Sequence, residues 1–240
     1  MQSVTLSLFR FGTVSARMWA FAQMATARFA LRREAGIGFF KLLGSGTGEG
    51  FTPIPNVSVY AILATWPDHV TAQSQIAKSP TFRRYRAHAV EDCTLYLTPS
   101  TARGEWDGQA PFVTDAEPTN GPIAALTRAT VKPLNALRFW RRVPDISQVI
   151  GDDPNVLFKI GVGEVPLLHQ VTFSIWPDTQ TMARFARHDG PHARAIKAVR
   201  DGAWFKEELY ARFALKNIEG TWEGGCPLQS RIPTYERPII

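Results

Sequence analysis

The sequence is poor in the residues and runs that mark several large function classes. It has only two cysteines, Cys93 and Cys226, with no CxxC spacing and no companions to complete a zinc site. A reducing compartment is the default reading, and Cys93, inside the apolar run CTLYL, reads as a core thiol. No stretch approaches the ~20 uninterrupted apolar residues of a membrane span. The N-terminal VTLSLFRF alternates like a strand, and Arg10 and Arg17 interrupt it, so no signal peptide and a cytoplasmic location are expected. The GxSxG elbow of serine hydrolases and the HExxH of zinc proteases are both missing. A phosphate loop is missing too. GSGTGEG (44–50) has alternating glycines and no GK[ST], and the FTPIP after it cannot open a helix. It reads as a wide hairpin, and no dinucleotide site is expected in this chain.

What is present is an ordinary globular composition with a cationic bias. Apolar residues make up 45% and aromatics 11%, so large apolar surfaces must be buried or meet a ligand. The net charge of +6 suits an acidic partner or an anionic membrane face; nucleic acid is not among the expected partners. Two Trp-Pro-Asp triplets, at 66–68 and 176–178, are the first sign of internal repetition. Upstream of them stand GFFKLLGSGTGEG and VLFKIGVGEV, each with Phe-Lys, a Gly-x-Gly turn and a Glu. Downstream, GEWDG (104–108) is echoed by GTWEG (220–224).

Both copies read through the same elements. In the first, Val4–Arg10 alternates as a strand, and Val14–Arg33 is helical with Met18, Ala22, Ala25 and Phe29 on one face. Strands follow at Gly38–Leu43 and Val57–Thr65. A helix opens at Pro67 and runs to Val90 with a break near Pro80, before a strand at Cys93–Leu97. The second copy gives a strand at Ala129–Lys132, a helix near Leu137–Ile150, strands at Val156–Val162 and Leu167–Ile175, a helix over Asp178–Arg200 and a strand at Ala211–Leu215. The expected fold is therefore α+β: two fused ferredoxin-like βαββαβ repeats forming a pseudo-dimeric α/β barrel, each leaving a pocket between its sheet and its helices. The repeats span residues 1–110 and 123–225, joined by a Pro/Gly-rich linker at 111–122 and followed by a tail at 226–240. Each Trp is expected to plug the sheet end beneath a helix.

Few side chains offer themselves for chemistry. Glu207 and Glu208 are read as adjacent carboxylates on a helix end, facing solvent. His69 and His88 read as surface groups, and His169 as a strand residue. His188 and His192 are separated by Gly190-Pro191, which breaks their shared helical face and starts a new first turn at His192. An imidazole there, beside Ala195, Ile196 and Val199, suits an axial haem ligand, with Arg194, Lys159 or Lys197 for the propionates. A lone histidine at a helix start is more often a cap or a surface residue.

The stretches VTLSLFRF, WAFAQM, GTGEGFTP, VYAILATWPD, DPNVLFKIG, VTFSIWPD, GPHARAI, WFKEELYARF and GTWEG resemble the spheroidene monooxygenase family, the acyclic carotenoid 2-ketolases of purple phototrophic bacteria. The resemblance runs from Val4 to about Gly224. It implies a dimeric α/β-barrel fold and a haem-dependent monooxygenase. That enzyme would hydroxylate, then ketolate, acyclic carotenoids at C2, as in spheroidene to spheroidenone, using O2 and electrons from reduced ferredoxin. Haem b is the implied cofactor. GPHARAI matches at Gly190–Ile196, which makes His192 the expected iron ligand, with Lys159, Arg194, Ile196, Phe173, Trp204 and Phe205 around the haem in the second repeat. No catalytic residue beyond these is implied. A bilayer-borne substrate further implies contact with the inner or intracytoplasmic membrane, for which the first helix, with Trp19 and Phe21 near Arg17, Arg28, Arg32 and Arg33, is the candidate. A homo-oligomer remains compatible with a fused pair. The rival readings are a cofactor-free α/β-barrel monooxygenase and a non-catalytic haem- or carotenoid-binding protein.

Overall fold

The computed structural model describes residues 1–48, 50, 52–114, 121–141, 153–187 and 204–228. The first half runs β1 (Ser3–Arg10), α1 (Val14–Leu31), β2 (Phe40–Gly46), β3 (Pro55–Trp66), α2 (His69–Lys78), α3 (Pro80–His88) and β4 (Glu91–Gly104). The second runs β5 (Ile123–Val131), a 3-10 turn at Pro133–Asn135, α4 (136–141), β6 (Phe158–Gly163), β7 (His169–Trp176), α5 (Thr179–Arg187) and β8 (Phe205–Gly220). The rest of the helices expected at Leu137–Ile150 and Asp178–Arg200 lies outside the described residues, as do 115–120 of the linker and 229–240 of the tail.

All eight strands close into one antiparallel barrel in the order β1-β3-β2-β6-β7-β5-β8-β4. Each half contributes four neighbouring strands, β4-β1-β3-β2 and β8-β5-β7-β6. The halves meet along two seams of unequal length. β4 and β8 pair from Cys93↔Gly220 to Gly104↔Leu209, while β2 and β6 share only Gly44↔Gly163 and Ser45↔Val162. Both last strands are much longer than the expected Cys93–Leu97 and Ala211–Leu215. Their extensions carry polar residues that hide the strand period but supply the long seam.

Strand alternation sorts the apolar residues into an interior and two outer layers. Leu6, Leu8, Leu63, Leu95, Leu126, Phe173 and Phe213 fill the barrel, which at eight strands is just wide enough for side chains. Outside it, α1, α2 and α3 cover the first half over Phe9, Tyr60, Ile62, Trp66 and Tyr96. α5 covers part of the second half over Ile123, Val156 and Trp176.

The Trp-Pro-Asp triplets do what their residue types dictate. Trp66 is buried against Phe82 and donates its indole N–H to Thr5 Oγ1 at 2.9 Å; Trp176 packs on Phe185 and donates to Ser174 Oγ at 2.9 Å. Asp68 is the N-cap of α2 and accepts from the Thr71 amide at 2.7 Å, as Asp178 accepts from Thr181. Pro67 therefore precedes the helix, which starts at His69, one turn element later than the proline itself suggests.

Side-chain direction departs from the sequence pattern in two places. The Phe-Lys pairs are out of phase: Lys41 opposes interior Leu63, whereas Phe158 points inward and Lys159 opposes Ser174 on the outer face. A one-residue slip in a strand exchanges its faces, and a shared dipeptide cannot reveal it. On α1, the buried stripe is Ala16, Ala20, Ala27 and Leu31. The Met18, Ala22, Ala25, Phe29 stripe faces solvent. Small residues let the helix lie close on the sheet, so the alanines win the inner side.

The Gly-rich stretch is the turn of the β2–β3 hairpin, and its tip crosses the short seam. Gly50 has φ +91, and a Cβ on it would stand 1.8 Å from the Gly161 carbonyl oxygen. Gly161 needs no unusual φ, so only space forbids a side chain there: its Cβ would meet the Gly50 oxygen at 2.5 Å. Gly161→Ala should therefore force the seam apart and lower stability by about 1–3 kcal/mol in urea unfolding. Gly225→Ala, with nothing within 4 Å of the added carbon, should be close to neutral.

Candidate functional site

The side chains expected around the haem are only partly described. His192, Arg194 and Ile196 lie outside the described residues, together with His188. Lys159 lies on the outer face of the second half, on the side of Ser174 and Trp176. Phe173 does not join it. It is fully buried inside the barrel, because neighbouring strand residues point to opposite faces. Trp204 is buried next to β5, where its carbonyl accepts from the Lys132 amide at 2.9 Å. Phe205 meets the Phe139 ring of α4 edge-on, centroids 5.9 Å apart. Phe205 thus stands by the second-half helical layer, on the far side of the sheet from Phe173.

The structure assembles a second, unanticipated site at the β5 C-terminal end of the barrel. Arg128, pointing inward from β5, has no solvent exposure at all (0%). Its guanidinium pairs with Glu207 of β8, reaches Asp107 Oδ1 at 3.4 Å and lies 4.0 Å from Glu164 Oε2. Lys41 of β2 pairs with Asp107 and with Glu164 Oε1, the latter at 2.8 Å. Between the two cations sits the buried indole of Trp106, 5.5 Å from Arg128 and 5.8 Å from Lys41, donating its N–H to Glu164 Oε2 at 2.7 Å. His169 Nδ1 approaches the same carboxylate oxygen at 3.6 Å. Glu207 also accepts from the Asp107 and Gly108 amides, at 3.1 and 2.8 Å. Far from being a solvated helix end, Glu207 is a strand residue locked into this cluster.

A smaller relative of the cluster closes the other end. Arg10 at the end of β1 pairs with Glu91 at 3.2 Å and Glu223 at 3.5 Å, and its guanidinium covers the Trp222 ring at 4.6 Å. Glu91 accepts from the Gly224 amide at 2.8 Å, as Glu207 does from Gly108. Asp107 and Glu223 both take the left-handed backbone, at φ 53 and φ 58. β1 and β5 run in opposite directions, so the two tryptophans plug opposite mouths of the barrel. The signal in the sequence was the GEWDG and GTWEG pair; what it could not give were arginines and carboxylates up to 133 positions away.

Within the large cluster Glu207 is held as a carboxylate. Burial alone would raise the Glu207 carboxyl, but the Gly108 and Asp107 amides and the Arg128 guanidinium outweigh it and hold the group below the ordinary range. A carboxylate so held is a poor general acid at neutral pH. Burial pushes the Cys93 thiol up to about 12, consistent with an inert core thiol. Among the described residues no group of three or more His, Cys, Asp or Glu side chains is placed to hold a metal ion, and no helix is long and apolar enough to cross a membrane.

No protein-family model matches the chain. It is 51% identical over 235 residues to a spheroidene monooxygenase of Rhodobacter capsulatus, covering 97% of this chain and 98% of the relative. It is 52% identical over 231 residues to one of Cereibacter sphaeroides, covering 95% and 71%. A Rubrivivax gelatinosus protein of the same name is 36% identical over 210 residues, covering 88% and 81%. Among solved structures, two of aldoxime dehydratase share the fold with TM-scores of 0.61 and 0.64, at 12% and 10% identity, covering 90% and 91% of this chain and 82% of each of theirs.

The buried cluster generates two expectations. Arg128→Met leaves Glu207, Glu164 and Asp107 facing one another and should cost about 3–5 kcal/mol in denaturant unfolding. Because the folded Glu207 carboxyl lies below its value of 4.5 in an unfolded chain, the unfolded state takes up that proton first as the pH falls. The stabilisation is full above pH 4.5 and is lost as the pH drops through the folded value. Glu207→Gln should therefore flatten the acid limb of a melting-temperature profile below about pH 4.5 relative to the parent.

Proposed function

The chain belongs to the spheroidene monooxygenase family, and on that footing we propose that it is a monooxygenase that inserts oxygen from O2 into acyclic carotenoids. The observation that carries this reading is the 51% identity maintained over 97% of the chain with a relative of that name. The finer reading is hydroxylation and ketolation at C2, with haem b as cofactor and a reduced ferredoxin as electron donor. The net charge of +6 would favour encounter with an acidic donor protein.

The described residues on the outer face of the second half are apolar, which supports placing a flat apolar group between that sheet and its helices. Ile123, Val156, Trp176 and Met182 form a buried apolar patch there with Phe185 packed against it, and Lys159 lies on the same face of the sheet. Haem would supply the oxygen activation that an unactivated C–H bond requires. In this reading His192 would hold the iron through its imidazole, and Lys159 and Arg194 would orient the propionates. Ile196, Trp204 and Phe205 exclude water from the apolar side. Phe173 contributes only through the sheet, from the barrel interior.

The same reading takes the barrel as two fused ferredoxin-like βαββαβ repeats, residues 1–110 and 123–225, in a pseudo-dimer. Support comes from the mirrored strand orders and from the paired Arg-Glu-Trp clamps, in which each half's first and last strands hold the Trp loop that follows the other half's last strand.

The test is a visible absorption spectrum of the full chain, expressed with haem precursor, beside a His192→Ala variant. A Soret band that disappears in the variant is the expected result, together with carotenoid oxidation by the parent under reduced ferredoxin and O2. A band that survives would exclude His192 and point to His188 or His169. Oxidation without any band would favour cofactor-free chemistry, and bound carotenoid left unchanged would favour a carrier.

A further inference from the structure

We propose that the outward faces of α1 and α3 form a docking surface for an anionic phospholipid bilayer. The proposal deepens the carotenoid reading and rests on it for its purpose, since a C40-type hydrocarbon substrate is held in membranes. Its physical basis is separate. Val14, Met18, Phe21 and Phe29 are 75%, 64%, 64% and 56% exposed. With exposed Ala22 and Ala25 they follow one another at helical spacings of three and four, giving a continuous apolar stripe along α1. It lies opposite the Ala16, Ala20, Ala27, Leu31 stripe that packs on the sheet, so α1 is apolar on two sides with only one of them covered.

The charge around the stripe has one sign. Arg17, Arg28, Arg32 and Arg33 belong to α1 or its C-terminal end, and Arg83 and Arg84 are exposed on α3, which packs beside α1 through Trp19, Tyr85 and His88. Trp19 itself, stacked on His88 at 4.0 Å, belongs to this joint and not to the outer stripe. α1, α2 and α3 contain no acidic residue. Glu34, just beyond α1, accepts from the Ser79 and Thr81 hydroxyls. An apolar stripe rimmed by guanidiniums whose stems can snorkel is the pattern of a helix lying in the headgroup plane of an anionic leaflet. A second copy of the chain fits worse. A two-fold contact sets each arginine row against itself with no acidic residue within α1, α2 or α3 to answer it.

The experiment is co-sedimentation of the full chain with carotenoid-free vesicles of phosphatidylcholine, with and without phosphatidylglycerol. Binding should appear only with the anionic lipid and should weaken roughly fivefold for each arginine removed, about a hundredfold for R28Q/R32Q/R33Q. Met18→Ser, Phe21→Ser and Phe29→Ser together should abolish binding while leaving the melting temperature unchanged, because all three side chains already face water. Equal binding to neutral vesicles, no binding at all, or variants that bind like the parent would overturn the proposal. So would a dimer, seen in sedimentation equilibrium, that the serine variant dissolves without any vesicle binding by the parent. Turnover of detergent-solubilised carotenoid separates the two readings. If docking alone is wrong, turnover persists without vesicle binding; if the carotenoid reading alone is wrong, vesicle binding persists without turnover.

Discussion

A guanidinium with no access to water must be neutralised where it stands, and Arg128 is the residue around which this barrel is arranged. Its partners come from β8, from the loop after β4 and from the end of β6, while Lys41 on β2 completes the charge pattern. Elements from both halves are thereby fixed relative to one another at a single point. A buried ion pair contributes little to stability compared with apolar side chains of the same size, but leaving one member uncompensated is costly. The cluster therefore acts as a register lock. A β8 slipped by one residue would turn Glu207 away from Arg128 and bring Glu208 or Lys206 inward.

The same lock closes a barrel whose interior is already filled. Leu, Val and Phe side chains fill it, and a tryptophan closes each mouth under an arginine. Ligand space on this architecture has to lie outside, between the sheet and the helices. In the first half, α1, α2 and α3 cover a large aromatic layer, with Trp66, Tyr85, Phe82 and Tyr96 fully or almost fully buried. In the second, the described cover over Trp176 includes Met182 and Phe185 of α5.

Local chemistry made the order of elements legible. Alternation gave β1 and β3, helical spacing gave α1, and the Trp-Pro-Asp triplets gave the two strand ends with their capping aspartates. What was not legible shares one feature: it depends on phase or on distant partners. The Phe-Lys dipeptides look equivalent, yet Lys41 is inside the barrel and Lys159 outside, because the strands are in register with different neighbours. α1 offers two apolar stripes, and its sequence does not say that the alanine side is the one pressed to the sheet. Glu207 reads as a solvated pair with Glu208 until β5 arrives beside it, 79 residues away, carrying Arg128. His192 was legible only through a family motif, since nothing local sets it apart from a helix cap.

These misreadings bear on how function is distributed over the fold. Phe173, which a sequence-based argument would hand to the pocket, and Glu207, which it would leave to solvent, turn out to hold the barrel together. The stripe that it would hand to the core, Met18 to Phe29, is left in water. Burying two or three such side chains is worth about 1.5–3 kcal/mol each, so a protein that leaves them exposed along one helix forgoes stability it had the means to gain. Selection for folding alone gives no reason to keep large apolar groups there when serine or lysine would serve the helix as well. A surface that is costly to maintain in water, rimmed by one sign of charge and set on the half of the barrel opposite the proposed pocket, is better understood as belonging to a second phase. On that view the barrel separates two tasks that a water-insoluble substrate imposes on one chain: the first half meets the lipid, and the second half does the oxidation.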